Sequence, residues 1–157
     1  MKKKRSIILL TMIIFFSLSL LGAEKVEKIG KDKILKTGNE WMEVYSRYRV
    51  DESLIDTLKS KAGNNLKIDV YLGLWCSDSR NNVPKFIKII DVLNQPGLTV
   101  NYFNVERKAN RNIKYFIEKL KVGRVPTFIF YRDGKEIGRI VENPQKSLIE
   151  DFLDIIF

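Results

Sequence analysis

Histidine is absent from the 157 residues, and cysteine occurs once. The first absence removes the Ser-His-Asp triad, the Cys-His pair and every imidazole metal ligand. The second removes an internal disulfide and any cysteine zinc site. Whatever chemistry the chain performs must run on thiol, carboxylate, amine or hydroxyl groups. No internal repeat and no low-complexity tract is present. There is also no basic run interleaved with aromatics of the kind that grips nucleic acid. The formal charge is +9, but Lys2, Lys3, Lys4 and Arg5 stand in an opening segment without acids. Taking those four from 28 basic residues leaves 24 against 19 acidic ones, or +5. The remaining charges are interleaved along helix-like stretches, the pattern of a solvated surface. A nucleic-acid partner is not expected.

What is present has the balance of an ordinary globular domain, 45% hydrophobic and 30% charged, with length enough for one sizeable core. Residues 1–23 have the pattern of an export signal: a basic start, an apolar run from Ile7 to Leu21, then Leu21-Gly22-Ala23 before a cut. The run is shorter than the ~20 apolar residues a spanning helix wants. Cleavage after Ala23 is the preferred reading, and an uncleaved membrane anchor over 6–23 is the alternative. No cysteine follows the run, so a lipid-anchored lipoprotein is excluded. The mature chain is expected to be periplasmic or extracellular, where a lone thiol is worth notice.

Residues 24–63 are read as a linker and an N-terminal helical extension. Glu24 to Leu35 is polar and weakly patterned. Thr37 with Glu40 suggests a capping box for a helix carrying Trp41, Val44, Tyr45 and Tyr48, and Asp51 suggests the N-cap of a second helix that stops at Gly63-Asn64-Asn65. From residue 64 to 157 the order becomes strand, helix, strand, helix, strand, strand, helix. The strands are Leu66–Gly73, Leu98–Val105, one within the stretch Val122–Tyr131, and Lys135–Glu142. Asp133-Gly134 is a hairpin turn and Gly138 a bulge or close approach. A helix with Ile113, Phe116, Ile117 and Leu120 buried precedes the hairpin. Asn143-Pro144 is expected to open the last helix.

The chemistry concentrates at Trp75-Cys76-Ser77-Asp78-Ser79-Arg80. Ile68, Val70 and Leu72 alternate before it, and Val83, Phe86, Ile87, Ile90 and Leu93 recur at helical spacing after it. Cys76 therefore falls on the turn that opens a helix, where free backbone N–H groups and the dipole favour an anion, and the thiolate is the nucleophilic form of a thiol. The bland alternative is a small buried hydrophobe that happens to be cysteine.

Trp75-Cys76, Pro84 eight residues beyond the cysteine, and Val125-Pro126-Thr127, set in this element order, resemble the thioredoxin family. The resemblance covers roughly Leu66 to Phe157. It implies an α/β fold, a thioredoxin-like three-layer α/β/α sandwich with a central four-stranded mixed sheet, here with the N-terminal helical extension added. It also implies thiol-disulfide exchange with Cys76 as nucleophile, and a cis peptide before Pro126 that leaves Val125 to pair with an extended client. Two departures stand out. The family's second cysteine is replaced by Ser79. The buried aspartate six residues before the first cysteine is replaced by Val70, and alternation should turn the neighbouring Asp69 to the opposite face.

Cys76 can still form a mixed disulfide, but a serine hydroxyl cannot expel it. An external thiol must, as in monothiol glutaredoxins, unless the adduct persists and holds the client. Cys76 and Ser79 are thus the catalytic candidates, Ser79 as hydrogen-bond partner of the sulfur. Trp75, Val125, Pro126 and Thr127 are the substrate-binding candidates, although packing is the bland reading for Trp75. Arg80 and Arg124 could favour the thiolate, while Asp78 opposes it or simply suits the first helical turn. No metal, nucleotide or other cofactor is implied. The partners would be client proteins or small thiols bearing disulfides, and a Cys76–Cys76 dimer is compatible with the lone thiol. The alternative function is a non-catalytic thioredoxin-fold binding module that docks or covalently holds clients. A one-cysteine peroxidase is disfavoured, because this loop is not the Pro-x-x-x-Thr/Ser-x-x-Cys loop of such enzymes. Replacing Ser79 tests the loop directly: Ser79→Cys is expected to gain dithiol reductase activity in an insulin-reduction assay, and no gain would mean that the loop does not hold redox geometry.

Overall fold

A computed structural model describes residues 26–63, 65–107 and 118–157. The export-signal segment, most of the helix expected around Ile113, Phe116 and Ile117, and Asn64 lie outside them. Leu120, which closes that helix, is described and partly buried against Tyr71, Val122 and Ile129.

The elements run β1 (Glu27–Ile29), α1 (Lys31–Leu35), α2 (Asn39–Arg47), α3 (Glu52–Lys61), β2 (Leu66–Leu72), α4 (Ser77–Leu93), β3 (Leu98–Asn104), β4 (Thr127–Arg132), β5 (Lys135–Val141) and α5 (Leu148–Ile156). The sheet has five strands, not the four expected, in the order β1-β3-β2-β4-β5. The additional strand comes from the stretch expected to be linker. It is three residues long with only Ile29 buried, and it pairs antiparallel on β3 with Ile29 opposite Tyr102. A short, charged edge strand has too few buried positions to show alternation. In the centre β2 runs parallel to β3 and antiparallel to β4, and β4 turns back into β5.

Alternation along β2 divides the molecule. Leu66, Ile68, Val70 and Leu72 enter the main core with Val83, Phe86, Ile87, Phe128, Phe130 and Phe152. Asp69 and Tyr71 turn to the other face, where Tyr71 packs with Val122 and Ile129. Asp69 is buried there, accepting from Asn101 Nδ2 at 2.8 Å and paired with Lys67 Nζ at 2.8 Å. Burial, and then the Asp69 carboxylate, push the Tyr71 phenol above its ordinary range. The main core is joined by Phe86 on α4, whose ring lies 4.8 Å from that of Phe128, 6.4 Å from Phe130 and 6.2 Å from Phe152. Trp41 of α2 and Ile55 and Leu58 of α3 belong to the same core, so α4 is covered on its outer side as well.

Several local expectations hold. Asp51 caps α3 by accepting from the Ser53 and Leu54 N–H groups. Asp133 and Gly134 make the hairpin turn with φ of 50° and 77°. The bulge falls where Phe130 faces Gly138 but Tyr131 faces Glu136. A Cβ on Gly138 would stand 2.8 Å from Ile155 Cγ2, so the bulged strand lies close under α5. Two expectations are corrected. Thr37 does not cap α2: its hydroxyl donates back to the Lys33 carbonyl at 2.9 Å, and Gly38 occupies the N-cap position without a side-chain bond. Asn143-Pro144 does not open the last helix. Ser147 does, accepting from the Glu150 N–H, while the Asp151 carboxylate takes the N–H groups of Gln145 and Lys146 and holds the approach as a turn. Phe86→Ala is expected to lower stability by about 3–5 kcal/mol in urea denaturation, whereas Val92→Ala on the exposed side of α4 should stay within about 0.5 kcal/mol.

Candidate active site

Cys76 is the N-cap residue of α4, with φ −94° and ψ 129°, and it is partly exposed. It is held there from both sides. Its own N–H donates to the Gly73 carbonyl at 2.9 Å, and its carbonyl accepts the Arg80 N–H at 3.0 Å, the first bond of the helix. The loop ahead of it is pinned to the end of β3. The Leu74 N–H donates to Asn104 Oδ1 at 3.2 Å, and the Trp75 indole N–H donates to the Val105 carbonyl at 2.8 Å. Gly73 permits this, because a Cβ there would stand 2.8 Å from the indole. Trp75 is 48% exposed: one edge is tied down and the rest of the ring is open. The Arg107 guanidinium lies 5.6 Å from its centroid.

Across from the sulfur is the Val125-Pro126-Thr127 segment, in which the Val125–Pro126 peptide is cis. The Cys76 thiol donates to the Val125 carbonyl at 3.3 Å. Thr127, buried, donates its hydroxyl to the Arg124 carbonyl at 2.7 Å and so holds the turn before the proline. Trp75, Cys76, Asp78, Arg124 and Val125 meet around one open groove of about 360 Å³.

The expected hydrogen bond from Ser79 to Cys76 is not formed. Ser79 is fully buried, and its Oγ accepts the Gly73 N–H at 3.1 Å, a donor left over where β2 ends. Serine at this position braces the loop from beneath. Both arginines are paired with carboxylates. Arg80 lies on the exposed side of α4, 3.9 Å from Glu40 on α2. Arg124 is ion-paired at 2.7 Å with Glu142. Asp78 does share the groove with Cys76.

Sequence reasoning missed the residues that tie the two halves together. Asn82, one turn beyond Ser79 and buried, donates through Nδ2 to the Glu142 carbonyl at 3.0 Å and to Asn143 Oδ1 at 2.9 Å. The Glu142 N–H in turn donates to the Pro126 carbonyl at 2.6 Å. The helix bearing the cysteine is thus linked through one side chain and one backbone unit to the proline loop facing it. An asparagine among Val83, Pro84 and Phe86 was the available signal, since a buried amide needs partners. Glu106, Arg107 and Glu142, which also border the groove, carried no local signal. Among the described residues, no group of three or more cysteine, aspartate or glutamate side chains could hold a metal ion, and no helix is long and apolar enough to cross a membrane.

A family model described as thioredoxin matches residues 25–150 of the chain. Among solved structures, a Pseudomonas aeruginosa protein of unknown function is 17% identical, with a TM-score of 0.57 over 82% of this chain and 86% of that one. An HIV epitope scaffold is 16% identical, with a TM-score of 0.57 over the same shares. The thioredoxin of Fasciola hepatica is 23% identical, with a TM-score of 0.44 over 66% of this chain and 91% of that one. Asn82→Ala is expected to cost about 1–3 kcal/mol by leaving the Glu142 carbonyl short of its buried donor. Amide hydrogen exchange at Glu142 should quicken in that variant while the β2–β3 ladder stays protected.

Proposed function

The chain belongs to the thioredoxin family, and from that premise we propose that it is an exported protein that exchanges thiols and disulfides through Cys76 alone. The observation that carries the reading is the placing of a partly exposed sulfur at the N-terminus of α4, 3.3 Å from the Val125 carbonyl and open to the groove. Helix-end N–H groups and the dipole favour negative charge at that position. The Cys76 thiolate attacks one sulfur of a client disulfide. A new sulfur–sulfur bond forms at Sγ, the client's own bond breaks, and its second sulfur leaves as a thiolate.

Loss of the thiol proton also removes the donor that occupies the Val125 carbonyl. That carbonyl, beside Pro126 and Thr127, is then available to an N–H of an extended client segment, and the open face of Trp75 supplies apolar contact. Ser79 supports the loop and takes no part in sulfur chemistry. The mixed disulfide is therefore released by a thiol from outside the chain. Export rests on the pattern of residues 1–23, and in an oxidising compartment disulfide-bearing partners are at hand.

The test is trapping. Mixed disulfides recovered from cells expressing the protein should contain Cys76 joined to client cysteines, and they should vanish in Cys76→Ser and on reduction. Adducts that a small external thiol cleaves quickly would indicate turnover. Adducts that resist it would favour the holding of clients by the same fold. No Cys76-dependent adduct at all would defeat the reading.

A further inference from the structure

We propose that Glu142, balanced by Arg124, sets the charge preference of the Cys76 groove and makes it favour disulfides flanked by cationic groups. This rests on the reading of Cys76 as a disulfide-exchanging nucleophile. Glu142 has φ 59°, the left-handed region that few residues other than glycine enter. Its conformation is held by two backbone bonds, from its N–H to the Pro126 carbonyl and from Asn82 Nδ2 to its carbonyl. Glycine would make both bonds with less strain. What glycine lacks is the carboxylate, and that carboxylate borders the groove beside Cys76, where it pairs with Arg124 at 2.7 Å.

Among the described residues, the charges that line the groove do not cancel. Asp78, Glu106 and Glu142 are three negative groups, and Arg107 and Arg124 are two positive ones, which leaves one net negative charge among them. Arg124 is engaged by Glu142, and Arg107 lies over Trp75. The attacking thiolate adds a further negative charge. An anionic group next to the disulfide is therefore repelled at the moment of attack, and a cationic one is drawn in. Removing Glu142 takes the groove from one net negative charge to none and frees Arg124. Removing Arg124 takes it to two and frees Glu142. The two losses must act in opposite directions.

The experiment measures rates of mixed-disulfide formation on the full chain with three small disulfides: cystamine (cationic), hydroxyethyl disulfide (neutral) and dithiodiglycolate (anionic). In each the Cys76 thiolate forms one sulfur–sulfur bond, the probe's own bond breaks, and half of the probe leaves as thiolate. Rates are normalised to the neutral probe, so that the folded fraction and intrinsic thiol reactivity cancel. Cystamine should react about tenfold faster than dithiodiglycolate at low salt, in part because its leaving thiol is the more acidic; high salt should shrink the charge-dependent part, and the leaving-group part cancels between wild type and variant. The ratio should fall several-fold in Glu142→Gln and Glu142→Gly and rise in Arg124→Gln. A ratio unchanged in all three variants would overturn the proposal, and Glu142 would then be a backbone tie only. Failure of all three probes to react with the wild-type thiol would instead defeat the exchange reading, and this inference with it.

Discussion

The seating of α4 on the sheet is the constraint on which the site depends. Phe86 reaches into the rings of Phe128, Phe130 and Phe152, and this contact sets both the depth and the rotation of the helix. Rotation decides which side of α4 faces the sheet and which faces solvent. Depth decides how far the N-cap residue stands above the ends of β2 and β4. A helix shifted by a few tenths of an ångström in so dense a core meets immediate repulsion. The position of one sulfur is thus governed by aromatic packing well down the helix from it. The covering helices add to this from outside, since Trp41, Ile55 and Leu58 close over α4 and leave it no slack.

Polar bonds then complete what packing begins. The loop from Gly73 to Cys76 contains almost no regular structure, yet the backbone N–H groups of Gly73, Leu74 and Cys76 and the Trp75 indole are each engaged, by Ser79 Oγ, Asn104 Oδ1, the Gly73 carbonyl and the Val105 carbonyl respectively. These bonds are short in reach and come from α4, from the end of β3 and from the loop itself. On the far side Asn82, Glu142 and Pro126 form the corresponding brace. The groove between the two braces is open while its walls are held, so the Cys76 sulfur is partly exposed on a braced support.

Much of this was legible in the chain. The alternation of Ile68, Val70 and Leu72, the helical spacing from Val83 to Leu93, and the Asp133-Gly134 turn are local patterns, and local patterns survive into the structure because each is imposed by backbone geometry. Cys76 at the helix start and Asp69 on the face opposite Val70 followed from the same two periods. Two kinds of inference failed. Capping at Thr37 and at Asn143-Pro144 was assigned from composition, and in both places a competing acceptor or a later serine took the bond. The partner expected for Ser79 was assigned from chain proximity, and proximity along a helix does not decide where a hydroxyl turns. β1 was missed because three residues on an edge, with one of them buried, leave no period to detect.

By itself the sequence limited which chemistry is open to this protein: with no histidine and a single thiol, it is confined to thiol, carboxylate, amine or hydroxyl groups, and the strand-to-helix pattern puts that thiol at a helix tip. Only the tertiary structure decided what surrounds the sulfur. Val125, Arg124 and Glu142 are about fifty or more residues away along the chain, Arg124 is claimed by Glu142 rather than by the thiol, and Asn82 reaches the proline loop through a backbone unit that no local motif marks. Side-chain periods are local, whereas charge and hydrogen-bond partners are assigned by whatever the packed core brings within reach.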